Sequence, residues 1–207
     1  MVNGFIIKCI HSVVQTILNS EAEIESLDRA IGDGDHYINI KRGSMAVQSI
    51  ESELTSLPPD QAFKKIGMTL MTSVGGASGP LFASFFLALA KEIKGETNLQ
   101  QFSKGFTSGV KSIMDRGKSK LGDKTMLDVL IPVSEKLQLL ANEGCEKQEL
   151  IKEIDSIAMA GVIATKDMMP SKGRSAGLAE RAIGHIDPGA KTCQLIISTV
   201  CNELKLN

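Results

Sequence analysis

Apolar residues recur at three- and four-residue spacing from the start of the chain. Phe5, Ile6, Cys9, Ile10, Val13, Val14 and Ile17 form one stripe, which predicts a helix over 4–19. Ser20 and Glu23 make a Ser-x-x-Glu capping box, so a second helix is expected over 21–30. A third, from His36 to about Leu54, carries Ile38, Met45, Ile50 and Leu54. After Leu57-Pro58-Pro59, Asp60 is placed to cap a helix from Gln61 to Val74. Ser78 and Pro80 then precede a segment, Leu81 to Ile93, that is apolar on nearly every side and reads as a central helix.

The second half repeats the pattern. Thr97 or Asn98 opens a helix to about Asp115, in which Gly105 and Gly109 suit close helix–helix approach. Helices follow over 127–141, with Pro132 inside, and over 147–168. A short one is expected around 178–182. Asp187 then Pro188, cap and first turn, start the last, which runs to about Leu204. No stretch alternates as a strand does. The pattern predicts an all-α single domain over residues 1–207, with about eight main helices and short connections that favour antiparallel neighbours. The polar residues concentrate in the loops, four of which are Gly-rich, and these could converge at one end of the bundle.

Composition narrows the function. The 207 residues include 23 basic and 24 acidic side chains, a formal charge of −1. No long-range electrostatic case exists for nucleic acid or anionic lipid. Tryptophan is absent and Tyr37 is the one tyrosine, so stacking platforms for single strands are missing too. No apolar run approaches the roughly 18 residues of a membrane span. Met1-Val2-Asn3-Gly4 does not read as a signal peptide, and a cytoplasmic protein is expected. None of Cys9, Cys145, Cys193 and Cys201 forms a C-x-x-C pair; reduced, mostly buried thiols are expected and zinc is not.

The loop chemistry is more pointed. Asp28, Asp33 and Asp35 fall within eight positions, and Asp28 sits in the last turn of its helix, where an acid opposes the dipole. One reading is an all-oxygen site for Mg²⁺ or Ca²⁺, completed by phosphate and water; the spacing excludes an EF-hand. The other is a solvated turn in which Asp33 or Asp35 caps the next helix. His36 and Asn39 fall in that helix's first turn, where N–H groups favour an anion. Gly75-Gly76-Ala77-Ser78-Gly79 is either a phosphate cradle or a tight interhelical turn. The run Ser112 to Ser119 nearly matches a P-loop, but its first glycine is replaced and a helix precedes it. His11 and His185 carry no evident role, and Arg174, in a Gly/Ser loop, is either a phosphate contact or a solvated arginine. No catalytic base stands out. Phosphoryl transfer needs mainly positioning and charge neutralisation, so a subunit can supply those and leave the acceptor to another protein.

Taken together, the loops resemble the L subunit, the nucleotide-binding subunit, of dihydroxyacetone kinase. The matching residues are Leu27-Asp28-Arg29-x-Ile31-Gly32-Asp33-Gly34-Asp35-His36 and Ser73-Val74-Gly75-Gly76-Ala77-Ser78-Gly79-Pro80-Leu81-Phe82. They continue with Gly122-Asp123-Lys124-Thr125-Met126-x-Asp128, Lys172-Gly173-Arg174, and Glu180-Arg181-x-Ile183-Gly184-His185-x-Asp187-Pro188-Gly189-Ala190. The resemblance implies a barrel of eight antiparallel helices with the nucleotide at one mouth. It implies that Asp28, Asp33 and Asp35 hold two Mg²⁺ that bridge to the phosphates. His36, Ile38, Asn39, Ala77, Ser78, Gly117, Thr125, Met126, Arg174, Asp187 and Gly189 would surround ADP or ATP. It further implies two partners: a K subunit holding dihydroxyacetone on its own histidine, and a phosphohistidine-carrying M subunit that rephosphorylates ADP in place. Alternatives are an ATP-using subunit that exchanges its nucleotide and a non-catalytic nucleotide-binding adaptor for a regulator. One departure from the family's pattern is Tyr37, where glycine is usual; a tyrosine at this helix start is sterically possible and could alter access to the mouth.

Overall fold

The computed structural model describes residues 2–95, 98–173 and 175–206. Among them are ten α-helices and no strand: α1 Val2–Asn19, α2 Glu21–Ile31, α3 His36–Ser49, α4 Glu51–Ser56, α5 Pro59–Ser73, α6 Ser78–Glu92, α7 Leu99–Gly117, α8 Leu127–Glu143, α9 Lys147–Ala164 and α10 Pro188–Leu206. Eight of these close a ring in the order α1, α3, α5, α6, α7, α8, α9, α10 and back to α1. Each neighbouring pair is antiparallel. Ser12 of α1 donates to Glu203 of α10 at 2.6 Å, and Thr16 pairs with Thr199 at 2.9 Å. Thr107 of α7 pairs with Ser134 of α8 at 2.9 Å, and Gln100 donates to the Ala141 carbonyl at 3.1 Å. The eight-helix antiparallel barrel is as expected. The short α2 and α4 lie outside the ring.

The staves bury three apolar clusters: one on α7–α10 around Ile113, Val129 and Val162, one on α3–α5 and α1 around Leu54 and Ile66, and one around Ile17, Ile24 and Tyr37. Phe82 of α6 packs against all three. The uniformly apolar α6 is one wall of the ring and not a central helix. Its rings face the lumen, an apolar cavity of about 640 Å³ lined by Phe82, Phe85, Ile154 and Val200 among others. Both faces of α6 meet apolar neighbours, which explains its composition. Phe86 stacks on Phe63 at 6.3 Å, and Phe85 meets Phe106 edge-on at 5.2 Å. No helix among the described residues is long and apolar enough to cross a membrane.

Local chemistry shifts several expected boundaries. The long third helix is broken at Ile50 (φ −98°, ψ 12°) into α3 and α4, a turn that seats Leu54 with Ile6 and Ile66, fully buried. Ser20 makes no side-chain cap bond. Pro59 at the first position starts α5 ahead of Asp60, whose place is the first turn. Ser78 lies inside α6 rather than before it. Asn98 does cap α7, accepting the Gln101 N–H at 2.9 Å; Thr97, the other expected cap, lies outside the described residues. Residues 165–167 and 176–182 are 3₁₀ segments. All four cysteines are free thiols, and burial pushes Cys9 up to about 12 and Cys201 to about 11, so they stay protonated.

Alternation decides where the loops go. With eight antiparallel staves, the connections after α1, α5, α7 and α9 all emerge at one mouth. These are the segments carrying every candidate site residue. Gly161 holds α9 close to α8: a Cβ there would lie 2.5 Å from the Asp128 carbonyl and 3.0 Å from Val129 Cα, both backbone atoms. Gly161→Ala is therefore expected to destabilise the fold by about 1–3 kcal/mol, read as a lowered Tm with helicity preserved below the transition.

Candidate metal and nucleotide site

The short helix α2 brings Asp28 to the mouth, and the turn 32–35 folds back beside it. Oxygens from Asp28, Asp33 and Asp35 lie within 4.8 Å of one another, Asp28 buried and Asp33 exposed. The backbone holds Asp28 in place. Its Oδ2 accepts the His36 N–H at 2.9 Å, and its carbonyl accepts the Gly32 N–H at 2.6 Å. Gly32 is required for space: a Cβ would fall 1.9 Å from Asp28 Oδ1. Asp35 occupies the cap position of α3 yet makes no side-chain cap bond, which leaves its carboxylate turned to the cluster. Three carboxylates at this separation, all oxygen donors and open to solvent on one side, fit a hard divalent cation.

The α2 helix is strapped to the ring. Ile24 and Ile31 are fully buried, and Lys191 of α10 pairs with Glu23 at 3.0 Å. Tyr37 is a third strap. It is buried with Ile17, Ile24 and Ile40, its hydroxyl donates to Glu21 at 3.0 Å, and the Lys41 ammonium sits 5.4 Å from its ring centre. Burial and the neighbouring Glu21 push that hydroxyl up to about 12, so it remains a donor. Tyr37 thus fills the seam between α2 and α3 and does not stand in the mouth.

The predicted nucleotide residues are distributed around the same opening. His36 is buried, with Nε2 2.8 Å from Thr192 Oγ1, whose own hydroxyl donates to the Pro188 carbonyl at 2.9 Å. Asn39 is buried and accepts from Arg42 at 2.8 Å, while Arg42 also donates to the Ser73 carbonyl at 2.6 Å, joining the start of α3 to the end of α5. Ile38 is exposed, as is Ala77; Ser78 is buried. Gly117 faces Leu81 at the start of α6. Thr125, Met126 and Asp187 are buried, and Gly189 lies against the Met126 backbone. Arg174 lies outside the described residues.

On the far side of the mouth from the carboxylates, a buried polar lattice joins two loops, the α7–α8 loop and the α9–α10 connection. Asp128 accepts the Gly122 N–H at 2.5 Å and the Thr125 N–H at 2.7 Å, while Thr125 Oγ1 accepts the Leu127 N–H at 3.2 Å. These bonds close a tight turn ahead of α8, whose cap position, Met126, makes no side-chain cap bond. Asp123 accepts from the Ser171 and Ser119 hydroxyls and from the Lys120 N–H at 2.8 Å. Burial pushes its carboxyl up, but these bonds outweigh it and hold it below the ordinary range. Lys124 is wholly buried. Asp123, Lys124 and Asp128 lie in the Gly122–Asp128 motif, and the sequence pattern alone assigns them no site role; the Thr-x-x-Asp spacing is the one local signal of this turn.

Asp187 caps α10, accepting the Ala190 N–H at 2.7 Å. Its burial pushes the carboxyl up to about 7, with Asp128 adding to the rise and Lys124 opposing it. An unfolded aspartate ionises near pH 4, so between about 4 and 7 the native state binds more protons. The stability contributed by Asp187 is full below about pH 4 and is lost as pH rises through 7. Asp187→Asn, neutral throughout and still able to cap, should gain in Tm relative to the parent chain as pH rises from 4 to 8. A Tm difference that stays constant over that range would mean a carboxyl ionised throughout.

Comparison with known proteins agrees with this geometry. Residues 30–202 match the DAK2 domain family. The chain is 38% identical over 192 residues to DhaL, the ADP-binding subunit of the PEP-dependent dihydroxyacetone kinase of Escherichia coli, covering 91% of each chain. It is 38% identical over 188 residues to DhaL, the ADP-binding subunit of the PTS-dependent dihydroxyacetone kinase of Lactococcus lactis, covering 90% of each. The crystal structure of the dihydroxyacetone kinase from C. freundii in complex with AMP-PNP and Mg²⁺ shares the fold, with a TM-score of 0.74 at 23% identity. The alignment covers 95% of this chain and 33% of that longer one. The chain belongs to the DAK2 domain family and, within it, to the ADP-binding L subunits of dihydroxyacetone kinase.

Proposed function

We propose that this chain binds ADP with two Mg²⁺ at the mouth and passes a phosphoryl group to dihydroxyacetone held on a separate K subunit. The phosphoryl donor in this reading is the phosphohistidine of an M subunit, and the nucleotide stays bound as a coenzyme that alternates between ADP and ATP. One observation carries the reading: the three carboxylates share their mouth with the start of α3, the Gly75–Gly79 turn leading into α6, the Thr125 turn ahead of α8 and the Asp187 cap of α10. Charge for the metal and N–H groups for the phosphates thus lie around one opening.

When bound, Mg²⁺ supplies charge neutralisation for the transferring phosphoryl group. The chain's own residues bind and orient. Asp28, Asp33 and Asp35 hold the metal, and the buried hydrogen bond of Asp28 to the His36 N–H ties that site to the first turn of α3. Ser78, Gly117, Thr125, Met126, Asp187 and Gly189 form the remaining rim, with Arg174 assigned to the phosphates. None is placed as a proton acceptor, consistent with a partner that brings the acceptor and its base. The names of the relatives in E. coli and L. lactis, PEP- and PTS-dependent, favour the phosphohistidine donor over free ATP.

Two experiments test this. Asp33→Asn should lower phosphoryl transfer on the order of 10²-fold while leaving helicity intact, since Asp33 is exposed. Unchanged transfer with unchanged K-subunit binding would remove the metal assignment. The second offers the chain and its K subunit either phosphoenolpyruvate with the phosphotransferase proteins or ATP. Dihydroxyacetone phosphate should form with the first donor, and ADP should remain with the purified chain in mass spectra. Turnover with ATP alone would favour the exchanging kinase subunit, and partner binding with no transfer from either donor would favour the adaptor.

A further inference from the structure

Lys124 is the largest fully buried side chain of the described residues, and none of the roles proposed above uses it. Its backbone is left-handed (φ 60°), a conformation that a lysine adopts at a cost, and this turns the side chain inward. The ammonium donates to three backbone carbonyls: Thr165 at 2.5 Å, His185 at 2.6 Å and Lys166 at 3.3 Å. Three N–H groups meet three acceptors, so the donor set is fully used. Two of the carbonyls belong to the 3₁₀ turn that ends α9, where the dipole favours a cation. Asp187, Asp167 and Asp128 add negative charge nearby. A buried ammonium is costly unless satisfied in this way.

The partners say what the arrangement is for. Lys124 precedes Thr125 and Met126 directly. The His185 carbonyl stands two residues before Asp187, and Thr165 Oγ1 itself accepts the Asp187 N–H at 3.1 Å. The Gly184 N–H returns to the Lys166 carbonyl at 2.8 Å. One side chain therefore ties the α7–α8 loop to both ends of the α9–α10 connection, from inside.

We propose that Lys124 is a positioning residue for the nucleotide. By binding the carbonyls of Thr165, Lys166 and His185, it holds the Thr125–Met126 edge of the mouth at a fixed spacing from the Asp187–Gly189 edge. It touches neither metal nor phosphate. The proposal rests on the nucleotide reading of the mouth and names what sets that mouth's width.

The test measures ADP affinity in saturating Mg²⁺, with far-UV circular dichroism as the check on the barrel. Lys124→Met should keep the helicity of the parent chain and bind ADP about 10–100-fold more weakly, the range typical of supporting residues behind a site. Lys124→Ala should weaken binding similarly and recover part of it in propylammonium, but not in tetramethylammonium, which has no N–H to offer. A purely packing role would not distinguish these two cations. Parent-like ADP affinity in a folded Met or Ala variant, or equal recovery with both cations, would overturn the proposal. Should the Met variant fail to fold, Lys124→Arg decides. Its planar fork cannot match three carbonyls around one nitrogen, so weaker ADP binding at full helicity supports the role, and parent-like affinity refutes it. An unaltered chain that binds no ADP would overturn the nucleotide reading, and this proposal with it.

Discussion

Carboxylates a few ångströms apart repel by about 1 kcal/mol per pair in water, and by more where water is thinned out. Asp28, Asp33 and Asp35 live under that repulsion, with Asp28 already out of solvent. The fold meets it with backbone. An N–H of the next helix binds Asp28, a glycine leaves room for its oxygen, and the helix carrying it is strapped to the ring by Ile24, Tyr37 and the Lys191–Glu23 pair. The residual field points into the mouth. A cation there relieves the repulsion, and the anion it brings meets helix N-termini already in place.

The opposite edge of the mouth is built by the reverse principle. There the charges are buried and mutually satisfied: Asp128 and Asp123 take up loop N–H groups and hydroxyls, and Lys124 takes up carbonyls. Breaking one member of such a lattice strands its partners without water, which is far more costly than losing a surface pair. One edge is thus an open cluster of like charge, and the other is closed upon itself.

Much of this was legible in the residues. Helical periodicity with short connections pointed to antiparallel neighbours, and even alternation then forces the Gly-rich loops to one end. The acidic triplet was visible because it is local: Asp28, Asp33 and Asp35 meet across one turn. Less legible were features that depend on distant partners. Ser20-x-x-Glu23 has the spacing of a capping box but makes no cap bond in the fold, whereas Asp128 binds back to the Thr125 N–H and closes a turn at the mouth. The break at Ile50 is set by where Leu54 can be buried, which no local pattern encodes. The place of Tyr37 beside His36 leaves its effect on the mouth open, and only the fold shows its side chain drawn to Glu21 and the apolar seam. Lys124 was hidden by its type: a lysine in a polar loop reads as solvated until the carbonyls 41 and 61 residues later are placed around it.

The even number of staves has a consequence for how this molecule can be joined to others. In a closed ring of eight alternating helices, α1 and α10 are neighbours, bonded through Ser12 and Glu203. The first described turn and the last both face the end away from the carboxylates. Polypeptide added at either terminus emerges there side by side and leaves the opening clear. The same adjacency makes the barrel a natural subject for circular permutation: a short linker can join α10 to α1, and the new ends can be cut at the far-end turn near Gly144 without touching the loops that form the mouth.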